Sequence, residues 1–261
     1  MNGTILYHIH AYHALLKWKN EYGENIEKWL EVLGTIEALS SLANFSYNNP
    51  EFCFPKLNKE YKISFTNLGH PLINANKRIC NSVSFNENAF IILTGSNMAG
   101  KSTFLRSLGV NMVLAAAGAP VCANQANFHP LNIYVSMRLS DSLSDDESYF
   151  FAEVKRLQHI MKAVSKERSF VLLDEILRGT NSDDKRNGTI EVIKKLIAYQ
   201  AIGVIATHDL EICNTTNEYP QYLVNKCFEV ETINNELSFD YKLRDGTVSY
   251  THLTLPTKPS G

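Results

Sequence analysis

Strand-sized apolar runs alternating with helix-length amphipathic stretches predict an α/β protein built on a mostly parallel sheet. From about residue 50 the runs Lys62–Phe65, Phe90–Thr94, Ile133–Met137, Phe170–Asp174 and Ile202–Thr207 are bounded like strands. Helical periodicity fills the intervals at Lys101–Ala117, Ser148–Val164 and Lys185–Tyr199. Strands that alternate with helices in this way pair in parallel and are covered by helices on both faces. The third observation is a glycine-bearing turn, Gly95 to Gly100, placed between a buried strand and an amphipathic helix.

In chain order, residues 8–44 read as helices. Leu15, Leu16, Trp18, Ile26, Trp29, Leu30, Leu33, Ile36, Leu39 and Leu42 recur at three- and four-residue steps, and Asn48, Asn49 and Pro50 end the block. The chain enters this helical pattern almost at once, as expected of a piece of a longer protein. His8, His10 and His13 suggest a metal site at first sight. On a helix, however, only His10 and His13 share a face, and no fourth ligand is evident, so a surface helix is the better reading. Near the end, Cys227–Ile233 and Leu237–Leu243 alternate apolar and polar residues around Asn234 and Asn235, which predicts a hairpin at the edge of the sheet.

Composition sets bounds on function. The 261 residues suit one large domain, or one domain with a smaller attachment, and 44% hydrophobic with 20% charged residues fits a globular chain with a real core. A formal net charge of −2 supplies no overall basic field for nucleic acid. The five cysteines have no close pairing and read as reduced, mostly buried thiols. No apolar run has the length of a membrane span and the start lacks a signal-peptide pattern, so a cytoplasmic location is expected.

Gly95 to Ser102 fits G-x-x-x-x-G-K-[ST] in the context this motif requires, a strand before it and a helix (Phe104, Leu105, Leu108, Met112) after it. Glycines let the backbone curl so that its N–H groups converge on phosphate oxygens, and the helix N-terminus adds partial positive charge there. Lys101 would reach the β- and γ-phosphates and the Ser102 hydroxyl would ligate Mg²⁺. Phe170–Glu175 is the expected second half: a buried strand carries Asp174 to the rim of the sheet as a metal residue, with Glu175 beside it to orient or deprotonate water. Alone, an apolar run ending in two acids is a weak signal; after a P-loop it is a strong one. Ile205–His208 ends another buried strand at the same rim. A lone histidine is more often structural, but here His208 is placed to sense a γ-phosphate. Asp145 to Glu153 opens a helix, and Ser144-x-x-Glu147 has capping-box spacing; a serine at a helix start is also an anion site. The acidic run Asp141, Asp145, Asp146 and Glu147 reads as a solvated loop.

Together these segments resemble the ATPase domain of the MutS family, the DNA mismatch-repair proteins. Thr94–Thr103 (TGSNMAGKST) is similar to that family's TGPNMGGKST, including the Asn97-Met98 pair that ordinary P-loops lack. Leu173–Ser182 resembles LDEIGRGTST, Ala206–Glu211 resembles ATHYFEL, Glu147–Glu153 resembles QSTFMVE, and Gly69–Pro71 partly matches RHP. Four motifs in order across residues 68–211 make the resemblance specific.

The resemblance implies a P-loop NTPase of the ABC type that binds ATP and Mg²⁺ and works as a homodimer, each P-loop facing the partner's signature helix. Carried over by position, Gly95, Ser96, Asn97, Met98, Ala99, Gly100, Lys101, Ser102 and Thr103 bind nucleotide, and Ser148 reaches the nucleotide of the other subunit. Ser102 and Asp174 hold the metal, while Glu175, His208 and Lys101 are catalytic, with Arg178 to Ser182 along the shared seam. The expected organisation is 1–45, the end of lever and core helices; 46–248, the ATPase domain; and 249–261, a tail without helical period that looks like adapter read-through and is expected to be non-native or disordered.

Tyr149 and Phe151 depart from the family's signature, which suggests a divergent member. Mismatch-reading, connector and clamp sequences are not found in the chain, so DNA contact is expected through domains absent from it. The expected function is ATP hydrolysis coupling a nucleotide-driven dimer to mismatched DNA in repair. The alternatives are a MutS-like ATPase acting outside repair and a non-catalytic module that dimerises on ATP; Glu175 argues against the last. A transport-type ABC ATPase would carry LSGGQ where Glu147–Phe151 stands.

Overall fold

A computed structural model describes residues 3–85, 90–137, 149–233 and 236–248. The chain divides into two compact units, Met1–Pro50 and Glu51–Gly261. The first consists of α1 (Gly3–Tyr22) and α2 (Ile26–Asn48), joined by a 3₁₀ turn at Gly23–Asn25. Trp18, Tyr22 and Trp29 cluster across that turn, with ring centroids 6.0 to 6.5 Å apart. The sequence-predicted helical block is present and ends, as predicted, at Asn48 before Pro50. His10 and His13 lie exposed on α1, and no group of three metal-ligating side chains occurs among the described residues.

The second unit runs β1 (Lys56–Leu57), β2 (Ile63–Leu68), β3 (Asn81–Phe85), β4 (Phe90–Gly95), α3 (Lys101–Ala116), β5 (Gln125–Phe128), β6 (Asn132–Ser136) and α4 (Tyr149–Val164). It continues with β7 (Ser169–Asp174), α5 (Ser182–Ala198), β8 (Ile202–Ala206), α6 (Thr215–Glu218), β9 (Leu223–Phe228), β10 (Glu231–Ile233), β11 (Glu236–Ser238) and β12 (Leu243–Asp245). The main sheet has the order β12-β9-β4-β8-β7-β6. Every pair in it is parallel except β12 with β9.

Strands β4, β7 and β8 are buried along their whole length, as expected of parallel strands covered on both faces. Successive side chains point to opposite faces and feed two cores. Ile91, Leu93, Leu172 and Val204 pack with Phe104, Leu105 and Leu108 of α3 on one face. Phe90, Ile92, Val171, Leu173 and Ile205 pack with Leu157 and Ile160 of α4 and Ile193 and Leu196 of α5 on the other.

One expectation needs correction and a second needs refinement. Helices do not cover both faces alone: a second sheet of order β1-β5-β2-β3, mostly antiparallel, contributes Ile63, Phe65, Val83, Phe85 and Phe128 to the α3 side. The predicted edge hairpin is present in two antiparallel stretches: β10 with β11 beside the turn at Asn234 and Asn235, which lies outside the described residues, and β9 with β12 at the edge of the main sheet. The refinement is that β9 also pairs in parallel with β4, so that β12 alone forms the outer edge. Cys227 and Phe228 are both buried, so the true pattern there is that of an interior strand rather than an alternating edge.

Candidate active site

Parallel pairing of β4, β8 and β7 brings three carboxyl ends to one rim, where Leu93 and Asp174 both lie level with Ala206. Side chains that follow these strands therefore converge although they are distant in sequence. The loop after β4 turns sharply: Met98 has φ 66° and is 82% exposed, and Gly100 has φ 103°. A Cβ at Gly100 would stand 3.0 Å from the Tyr241 ring, so this position needs glycine for both conformation and space.

Lys101 opens α3 and is buried. Its Nζ donates to the Gly95 carbonyl at 2.8 Å and the Ser96 carbonyl at 3.0 Å, and lies 3.3 Å from His208 Nδ1. Burial pulls its ammonium below the usual lysine range, opposed by the carboxylates of Glu175 and Asp174. The next residue, Ser102, donates from Oγ to Asp174 Oδ2 at 2.6 Å. Asp174 is buried at the end of β7, and its Oδ1 has no hydrogen-bond partner among the described residues. An orphaned buried carboxylate oxygen beside a hydroxyl is a hard-oxygen donor set that fits Mg²⁺, which takes one or two protein oxygens and fills its octahedron with phosphate and water.

Glu175 follows in the left-handed region at φ 48°, as does Leu177 at φ 60°. For bulky residues such backbone is strained by about 1–3 kcal/mol each and persists only where the surroundings enforce it. Both oxygens of Glu175 are engaged: Oε2 with Arg178 Nη2 at 2.8 Å, and Oε1 with His208 Nε2. His208 Nδ1 lies 2.8 Å from the Gly95 carbonyl, so the ring bridges the phosphate loop and Glu175. Burial pushes the Glu175 carboxyl up, but the His208 hydrogen bond and the charges of His208, Arg178 and Lys101 outweigh it and hold the group below the ordinary glutamate range.

Lys101, Ser102, Asp174, Glu175 and His208 thus form one connected cluster, and Gly95 through Thr103 surround its opening. Ser148 lies outside the described residues, as do the acidic run and the capping box before it. Beside the loop is a cavity of about 410 Å³, lined by Ser96 to Phe104, Glu175, Ile73, Lys77, Ile79 and Tyr241. Lys77, Ile79, Asn81 and Tyr241 went unnoticed in the sequence. They carry no local motif; the segments of Asn81 and Tyr241 are joined across the fold by Asn81 Nδ2 donating to the Tyr241 carbonyl at 2.9 Å and Leu243 N–H donating to Asn81 Oδ1 at 2.8 Å. No described helix is long and apolar enough to cross a membrane.

The chain is similar to known proteins over most of its length. MutS protein homolog 4 of Homo sapiens is 29% identical over 259 residues, covering 92% of this chain and 27% of its own length. DNA mismatch repair protein MutS of Thermotoga petrophila is 30% identical over 240 residues, 89% of this chain and 29% of its own. The protein of the same name from Clostridium perfringens is 28% identical over 248 residues, 90% and 27% respectively. The chain therefore spans 27–29% of the length of these relatives. Residues 91–253, which include the phosphate loop, Asp174, Glu175 and His208, match MutS domain V, and the chain belongs to that family.

Proposed function

We propose that this chain is the ATP-binding and ATP-hydrolysing part of a MutS-like protein. The observation that carries the reading is the Ser102–Asp174 contact at 2.6 Å with Asp174 Oδ1 left unpartnered, adjoining Lys101, Glu175 and His208. The cavity beside the loop accepts a base against Tyr241 and Ile79, and backbone N–H groups from Ser96 to Thr103 hold the phosphates. Lys101, now donating to two carbonyls of its own loop, exchanges them for β- and γ-phosphate oxygens. Ser102 and Asp174 would hold Mg²⁺, which would supply positive charge against that developing on the phosphates. Glu175 orients the attacking water and accepts its proton, and His208 contacts the γ-phosphate. Arg178 and His208 each engage one Glu175 oxygen, and each oxygen keeps a further lone pair with which to accept from a water.

The fold is of the ABC type in this reading, with two copies closing as a homodimer and Ser148 reaching the partner's nucleotide. Nucleotide state then governs binding of mismatched DNA, contacted by domains beyond these residues, in mismatch repair in the cytoplasm. A MutS-like role outside repair is the second reading, beside the likeness to MutS protein homolog 4.

The deciding experiment compares wild type with Glu175→Gln. The variant should bind MgATP as wild type does and turn it over roughly 100-fold more slowly. Equal turnover would remove Glu175 from the chemistry, and ATP binding without hydrolysis by wild type would leave only a nucleotide-dependent dimerisation module.

A further inference from the structure

Glu175 sits on strained backbone, and the groups that hold its main chain lie elsewhere. Its own N–H continues the sheet by donating to the Ala206 carbonyl at 2.9 Å. Ile176 is buried in the core on the α4–α5 side. Then the chain turns at Leu177, and the next two N–H groups leave the sheet ladder. Both are taken by one side chain: Leu177 N–H donates to Glu153 Oε1 at 2.9 Å and Arg178 N–H to Glu153 Oε2 at 3.3 Å. Glu153 belongs to α4, not to the rim. One turn earlier on that helix, Phe150 lies so close to Gly179 that a Cβ there would stand 2.6 Å from the Phe150 Cβ. The start of α4 and the segment 175–179 thus meet twice, through a two-pronged carboxylate and through a contact that excludes any side chain at 179.

We propose that Glu153 is a positioning residue: its carboxylate clasps the Leu177 and Arg178 amides and thereby holds Glu175 in the conformation that faces the phosphate loop. The chemistry requires a carboxylate. Two converging N–H donors need two acceptor oxygens, and a charged acceptor binds each about twice as strongly as a neutral one. Glutamine has one acceptor oxygen and would turn an NH₂ towards the second amide, leaving a donor facing a donor. Aspartate is one methylene too short to reach both from the same helix position. Arg178 links the clasp to the chemistry, since its N–H is held by Glu153 while its guanidinium holds Glu175 Oε2 at 2.8 Å and its Nε donates to the Glu175 carbonyl at 3.0 Å. Loss of the clasp therefore frees backbone and carboxylate together.

This inference rests on the hydrolytic reading, and its test separates the two. In the purified chain, Glu153→Gln should speed hydrogen exchange at the Leu177 and Arg178 amides, a readout that requires no turnover. It should lower kcat roughly 10- to 100-fold while KM and ATP affinity change less than about threefold, because misplacement of the water residue affects the transition state rather than binding. Turnover is expressed per ATP-binding site, so loss of folded protein does not mimic the effect. Glu153→Asp should fall between the two. In a Glu175→Gln background, Glu153→Gln should add no further loss.

Should Glu153→Gln fail to fold, Gly179→Ala pushes on the same seam through Phe150. It should show the same kcat loss at unchanged KM, relieved by adding Phe150→Ala. Wild-type kcat in Glu153→Gln, or unchanged exchange at Leu177 and Arg178, overturns the proposal; so does Gly179→Ala with wild-type kcat. Absence of turnover in wild type, with exchange responding as described, overturns the hydrolytic reading and leaves the clasp in place.

Discussion

α2 and α3 carry comparable apolar residues at comparable spacing and have opposite surroundings. α3 buries Phe104, Leu105, Leu108, Met112 and Ala115 against the main sheet and the second sheet. α2 presents Ile26, Trp29, Leu30, Leu33, Ile36 and Leu39 exposed and buries no residue. Apolar periodicity specifies a helix and the face that prefers to leave water; whether that face is covered depends on what the rest of the chain places opposite it. α3 also begins at Lys101 and Ser102, so its N-terminal turn serves the site while its buried face serves the core.

The contrast can be tested from its strongest consequence downward. Lys101→Ala should weaken ATP affinity roughly 100-fold or more, the scale for deleting one member of a buried charge pair, measured by titration calorimetry. Unchanged affinity would detach the start of α3 from the site. Leu105→Ala, at a fully buried position, should lower the stability of the second unit by about 2–5 kcal/mol in urea melts.

A subtler effect concerns pH. Folding holds the Glu175 carboxyl below the ordinary glutamate range, so the unfolded chain binds that proton more tightly than the folded one. The resulting stabilisation is complete above the ordinary glutamate range and is lost as pH falls through the lower folded value. The difference in stability between wild type and Glu175→Gln should therefore stay constant from neutral pH down to that range and shrink below it. A difference that shrinks as pH rises instead would reverse the sign of the shift.

The smallest expected effect is Leu33→Ala on α2, within about 0.5 kcal/mol. A loss of several kcal/mol would break the comparison by showing that the α2 face is covered in solution.

Much of the site was legible because its residues are tied to local conformation. Gly100 is needed where φ is 103°, Lys101 and Ser102 open a helix, and Asp174 ends a strand buried throughout. What was not legible depends on distance along the chain. β3 and β5 are only five and four residues long, and they become strands because β2 lies between them. Cys227 and Phe228 read as half of a hairpin and do pair with β12, and the parallel partner that β4 adds makes their strand an interior one. Tyr241 has no motif around it, and its place beside Gly100 rests on bonds from its segment to Asn81 and on the pairing of β12 with β9.

The sequence by itself determined the alternation β4, α3, β6, α4, β7, α5, β8, the phosphate loop and the acidic pair at the end of β7, because periodicity, glycine conformation and helix-terminal chemistry act over a few residues. Only the tertiary structure decided that a second sheet covers the α3 side, that Glu175 is gripped by Arg178 and His208, and that Glu153 holds the loop behind it. Those contacts join residues from different elements, and no short-range rule states which unpaired amide a distant carboxylate will reach.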